Sequence, residues 1–271
     1  MLNKFSKDPN YLIRYFLLNL GIFTLLNFSL VSFELSFLHF SWNLGLLLII
    51  PIALVLGLVS ATAFHNASHG NIKPRILNSL IGELTANLSL EDLRCFTVGH
   101  MLHHKHTDHP TLDPHPPQRM TFLQFILNSR QSTIAVISQF YFKKHGVAAA
   151  QKRNVKLQIG IYHLLSLSKL AFWFLLFGWL GFLLLYLPSF LSYFFGFAHL
   201  NYISHQPDQS GEVTIHDRDG KLFYRLMNML TAGGYYHKSH HLYPGFYNPS
   251  KARPKIAVRK QLPKLRIARY E

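Results

Sequence analysis

What most restricts the fold of this chain is where its positive charge is missing. No Lys or Arg occurs between Arg14 and Lys73, and between Lys156 and Arg218 there is only Lys169. Within these gaps Tyr15–Phe33 and Leu44–Phe64 are apolar over about the 20 residues that a helix needs to cross a ~30 Å hydrocarbon layer. A third apolar stretch, Ile161–His199, is about twice as long and reads as a hairpin with crossings near 161–179 and 181–199. Gly178, Gly181 and Pro188 offer places to turn. Lys169 costs ~2.5–3.5 kcal/mol at the bilayer centre, so it either reaches the interface or faces the protein interior.

Composition points the same way. Charged residues are 14% of the 271, against roughly 25% in soluble domains, and apolar residues are 49%. The net charge of +15 would suit a nucleic-acid binder, but its placement does not. Apart from Lys169 the cations fall in three blocks: Lys4 to Arg14, Lys73 to Lys156, and Arg218 to Arg269. Basic blocks between uncharged spans follow the positive-inside pattern of membrane proteins. Four crossings put all three blocks on one side, the cytoplasmic one, which is the inner-membrane arrangement if the source is bacterial. The first ten residues are polar and no small-residue cleavage site follows the first apolar run, which therefore reads as a retained anchor. Between Lys73 and Lys156 the apolar patches are short and read as helices lying at the membrane surface. The tail 251–271 carries eight Lys or Arg against Glu271 and reads as a solvated segment that holds to anionic lipid. The fold expected is a single all-α membrane domain, 1–271, with about four transmembrane helices and a cytoplasmic helical cap.

Histidine gives the chemistry. Cys95 is the sole cysteine, which excludes an intrachain disulfide and a thiolate cluster, so any metal must be held by nitrogen and oxygen. His65 and His69 stand four apart at the end of the second span, and that spacing puts two side chains on one helix face. His100, His103 and His104 form HxxHH, and His237, His240 and His241 repeat it. Asn201 and His205 are four apart just past the last span. One HxxxH is common by chance; four such motifs on one membrane face read as a metal site. The nine imidazoles exceed what a four-coordinate zinc takes, and divided between two ions they give four or five nitrogens each. Imidazole suits zinc, copper, iron and nickel alike, so the residues alone do not name the metal. Asp108 and Asp113 are candidates to accept a hydrogen bond from a ligand's other ring nitrogen, and His106 and His199 are candidates for similar support. His109 and His115 read as loop residues, and His39, His145, His163 and His216 as ordinary surface positions.

HNASH, HMLHH and HKSHH resemble the three histidine boxes of the membrane fatty acid desaturase superfamily, which includes alkane and carotenoid hydroxylases. Their order, and the two spans between the second and third, match as well. The continuations HHKHTDHPTLDP and HHLYPG are similar to those of bacterial acyl desaturases. Two departures stand out: His115 follows Asp113-Pro114 where an acid is frequent, and Ser204 stands where alkane hydroxylases carry a glutamate before the histidine. The resemblance implies a non-haem enzyme with two iron ions held by the three boxes, with Asn201 and His205 completing the set. It further implies O2-dependent desaturation of an acyl-lipid or acyl-thioester chain. Electrons would come from an external donor such as a ferredoxin or a cytochrome b5-type protein. Hydroxylation or ketolation of a lipid, carotenoid or alkane uses the same ligands, and a metal transporter or a zinc-binding membrane protein is the alternative of another class.

Overall fold

The computed structural model describes residues 1–35, 39–117, 120–208 and 213–253, so most of the basic tail 251–271 lies outside the described residues. Peptide groups in hydrocarbon have no water to bond, and the apolar stretches accordingly close their hydrogen bonds as helices. A short helix α1 (Leu2–Lys7) leads into α2 (Tyr11–Ser32), and α3 (Ile49–His69) follows a 3-10 turn at Leu44–Leu48. Gly70 ends α3 in the left-handed conformation (φ 73°), where a side chain would be strained. The cap begins with α4 (Arg75–Leu88), α5 (Leu93–Lys105) and α6 (Phe122–His145), the last opened by a capping box between Thr121 and Gln124. Then come α7 (Ala149–Gly181), α8 (Leu187–Ser204), α9 (Leu222–Leu230) and α10 (His237–Leu242). The all-α expectation is met except for a two-stranded antiparallel ribbon, β1 (His205–Pro207) with β2 (Val213–Ile215).

Three stretches are long and apolar enough to cross a membrane: Tyr11–Ser32, Leu44–His69 and Ala149–Ser204, of 22, 26 and 56 residues. The count differs from the four expected because the last is one helical run that is interrupted rather than ended. Its break is at Gly178 (φ 62°, ψ −176°), followed by a π-helical turn at Phe182–Tyr186. Only glycine suits Gly178: the φ is positive, and a Cβ there would lie 2.9 Å from the ring of His39. α7 runs with α2, since Asn154 bonds Asn10 (2.7 Å) near their starts and Ser168 bonds Asn27 (2.9 Å) further along. α8 runs with α3, with Ser192 bonding the Leu54 carbonyl and Gly196 packed on Leu58. A Cβ at Gly57 would collide with the Ser189 carbonyl, so glycine sets the approach of these two helices. Leu18, Leu25, Phe28 and Val31 of α2 stay exposed, as a lipid-facing surface requires.

The cap is anchored by polar groups. The turn between α4 and α5 inserts between α2 and α7, where the buried Lys169 (1% exposed) meets it. Lys169 Nζ bonds the Glu91 carbonyl and lies 3.4 Å from Asp92 Oδ1, which also accepts from Asn19 (3.1 Å). The lysine therefore faces the protein interior and does not reach for the interface. Tyr162 donates to Glu91 (2.9 Å) and Tyr15 to Glu83 (2.6 Å). An aromatic and aliphatic core of Phe5, Phe16, Leu102, Tyr141 and Leu165 joins α1, α2, α5, α6 and α7, and a second around Phe64 and Tyr193 joins α3, α5 and α8. Between them these cores fix α5, the central helix of the cap.

Candidate metal centre

α3, α5 and α10 each deliver histidines to one place, and His205 joins them from the end of α8. The nine imidazoles form two groups: His65, His69, His100, His104 and His240, and His103, His205, His237 and His241. Within each group one nitrogen per ring lies within 4.8 Å of all the others. The partition follows helix geometry. On α5 the pair four apart, His100 and His104, enters the first group and His103 the second; on α10 the pair His237 and His241 enters the second and His240 the first.

The spacing of the nitrogens says what they face. In the first group, Nε2 of His100 lies 2.9, 2.8 and 3.1 Å from Nε2 of His65, His69 and His104, and His104 is 3.0 Å from His240. In the second, His103 and His241 are 3.2 Å apart, His237 and His205 3.0 Å, and His241 and His237 3.1 Å. One ring nitrogen carries either a proton or a lone pair, so His100 Nε2 cannot satisfy three imidazoles by hydrogen bonding. Two nitrogens each ~2.1 Å from one ion at a right angle are about 3.0 Å apart, and at a tetrahedral angle about 3.4 Å. The observed spacings fit ligands of a common ion with more than four positions.

Electrostatics keep the rings in the binding form. Burial, then the mutual repulsion of neighbouring rings, holds His100, His237 and His240 well below the usual imidazole range and pushes His104 down to about 2. Neutral imidazole is the form that ligates metal. Behind the second group stand two carboxylates. Asp113 oxygens lie 2.8 and 3.0 Å from His103 Nδ1, and Asp108 oxygens 2.9 and 3.1 Å from His205 Nδ1. Asp113 is held in turn by the backbone N–H groups of Asp108 (2.7 Å) and His115 (2.8 Å). Burial raises the Asp113 pKa, but the His103 ring and the His115 N–H outweigh it and keep the carboxyl low.

A family model for fatty acid desaturases matches residues 40–271. This chain belongs to the fatty acid desaturase family. Searches of curated proteins and of solved structures returned no match. Membership carries a desaturase or oxidase-type function in general, and the imidazole groups are compatible with the metal site that such a function needs.

Other residues of this desaturase-family chain take different places. Asn201 is buried on α8 one turn before His205. His106 caps the C-terminus of α5, and His199 Nδ1 is 2.8 Å from the Tyr235 hydroxyl. His115 lies against the His103 ring (6.1 Å between centroids), while His109 accepts from the N–H groups of Thr111 and Leu112 and shapes the loop. His39, His145, His163 and His216 have partners elsewhere. One residue escaped the sequence reading. Asp217 accepts from the Ser239 N–H (3.0 Å) and hydroxyl (2.7 Å) and so orients α10 between its histidines. The available signal was scarcity: with 12 Asp and Glu in the chain, an acid near a histidine box is worth a partner search. A small cavity of about 40 Å³ between α3 and α8 is lined by Leu58, Ala61, Gly196 and Phe197 together with His65, His237 and His240.

Proposed function

We propose that this protein is a di-iron, O2-dependent desaturase of fatty acyl chains, with the irons held by His65, His69, His100, His104 and His240 and by His103, His205, His237 and His241, and with Asn201 beside His205. The observation that carries the reading is the pair of imidazole groups, each with nitrogens about a cis-ligand distance apart, beside a small apolar cavity. What the bound irons supply, with dioxygen and two electrons from outside, is an oxidant strong enough for an unactivated C–H bond. The chain's own residues do the rest. Leu58, Gly196 and Phe197 give the small cavity beside the imidazoles an apolar wall against which a few methylenes of an acyl chain would pack in place of water. Asp108 and Asp113 hold the Nδ1 protons of His205 and His103 and leave Nε2 free to bind.

The same reading places the site on the cytoplasmic side. α2, α3, α7 and α8 act as four crossings, the last two joined at the Gly178 break, and Arg14, Lys73, Lys105 and Lys152 lie at the histidine end. That basic face suits an acidic electron-transfer protein such as a ferredoxin. Lipid profiling of a host expressing the protein is the test. Acyl chains lighter by two hydrogens, lost with His104→Ala while the protein stays in the membrane, are expected. Products heavier by one oxygen would replace desaturation by hydroxylation, and bound zinc without iron would end the proposal.

A further inference from the structure

Where α1 and the start of α2 meet the start of α5 is a cleft of about 490 Å³ lined by Lys4, Lys7, Arg14 and Arg94, with Asp8 as its one carboxylate. Asp8 is already bonded to Arg14. Lys4 and Lys7 are exposed, and among the described residues no carboxylate pairs with them or with Arg94. Arg94 is nevertheless fixed in place: its guanidinium lies over the ring of Tyr15 (4.5 Å to the centroid) and near that of Tyr11 (5.6 Å). Stacking orients the guanidinium, and of its five N–H donors the Tyr11 hydroxyl engages part, so others remain for a planar or tetrahedral anion. Glu83, whose oxygens accept from the Tyr15 hydroxyl, is the acid whose charge Arg94 feels from behind the two tyrosines, and it does not line the cleft. Four cations against one carboxylate line the cleft, with Lys4 and Lys7 outside any ion pair and Arg94 prepositioned, and that excess of positive charge describes a site for a phosphate-like group.

The apolar wall identifies the rest of the ligand. Leu18 closes the cleft and is 61% exposed, and it continues into Leu25 (68%) and Phe28 (67%) along the outer face of α2. The cleft is therefore at the end of a candidate membrane span, cationic towards the cap and apolar towards the hydrocarbon. A soluble phosphate gains nothing from that second wall, whereas a glycerophospholipid fills both. The volume is within the ~300–1,000 Å³ of small-molecule sites and matches a headgroup with the start of its chains. We propose that this cleft retains an anionic glycerophospholipid, its phosphate held by Lys4, Lys7 and Arg94 and an acyl chain lying along Leu18. The lipid is a bound component and not the substrate, because the cavity that reaches the imidazoles lies between α3 and α8.

Binding to the full chain in neutral detergent tests this, with phosphatidylglycerol, phosphatidylcholine and glycerol 3-phosphate as separate probes. Phosphatidylglycerol is expected to bind most tightly, and Lys7→Gln with Arg94→Gln to weaken it roughly thirtyfold. The control Lys152→Gln with Arg153→Gln removes the same charge from exposed positions at the start of α7 and should change binding less than threefold. If the Arg94 variant does not fold, Lys4→Gln with Lys7→Gln, both at exposed positions, decides the matter with the same expected direction. Equal weakening by the control pair would reduce the site to diffuse surface charge and overturn the proposal. Glycerol 3-phosphate binding as tightly as the lipid would overturn it too.

Discussion

Asp113 receives the Nδ1 proton of His103 and two backbone N–H bonds, so its charge is fixed in place and the ring's Nε2 has no option but to face its group. Removing such a partner costs ~10–100-fold in metal affinity in known sites. Asp113→Ala is therefore expected to lower bound metal per protein after dialysis by that order, while His109→Ala, a loop acceptor, leaves it unchanged. Equal retention in both would show that the carboxylate plays no part in holding metal. At this scale the sequence showed which imidazoles share a face, because i, i+3 and i+4 spacing is local. It could not show that His103 parts from His100 and His104, since that depends on α10 approaching from 136 and 138 residues away. Asp217 was invisible for the same reason: its partner Ser239 lies 22 residues on, in another element.

Elements hold these residues at the right depth. The turn between α4 and α5 is pinned from α7 by Lys169, which with Asp92 is 1% exposed. Breaking a buried pair leaves an unpaired charge and typically costs ~3–5 kcal/mol, whereas removing both partners costs much less. Lys169→Met should accordingly lower the midpoint of thermal unfolding in detergent by several degrees, and Lys169→Met with Asp92→Asn should recover most of the loss. A double variant no better than the single one would assign the effect to packing. The lysine's awkward position in an apolar stretch was readable in the sequence; its partner, in a turn far along the chain, was not. The helix break was readable only as three options, Gly178, Gly181 and Pro188, and the non-helical backbone falls at Gly178, where the His39 ring leaves no room for a side chain. The approach of α3 and α8 likewise depends on Gly57 and Gly196, and Gly196 also borders the cavity. Gly196→Leu is expected to cut product formation at least tenfold with iron content preserved, read by acyl profiling beside metal analysis; unchanged turnover would place the acyl path elsewhere.

For the molecule as a whole, gathering so many neutral imidazoles makes acid the natural denaturant. Burial lowers the folded pKa values of His100, His104, His237, His240 and His241, while in the unfolded chain each titrates near 6.5. A lowered folded pKa contributes stability that is present above about pH 6.5 and is lost as the pH falls, because the unfolded state then binds the extra protons. Glu83, Glu91 and Asp92, whose burial raises them, act in the opposite sense but are fewer. The chelator-treated protein should therefore keep its unfolding temperature between about pH 8 and 7 and lose it progressively below about 6.5. A flat profile to pH 5 would contradict neutral burial of the cluster. The division of each HxxHH motif between the two groups has a mechanical meaning as well. His100 and His103, and His237 and His240, place rings of different groups 5.9 and 5.8 Å apart on a single helix. Two short helices thus act as rulers cut to one turn, and they set the gap between the two imidazole groups. Anything that turns α5 or α10 about its axis disturbs both positions together, so the pair is made or lost as a unit.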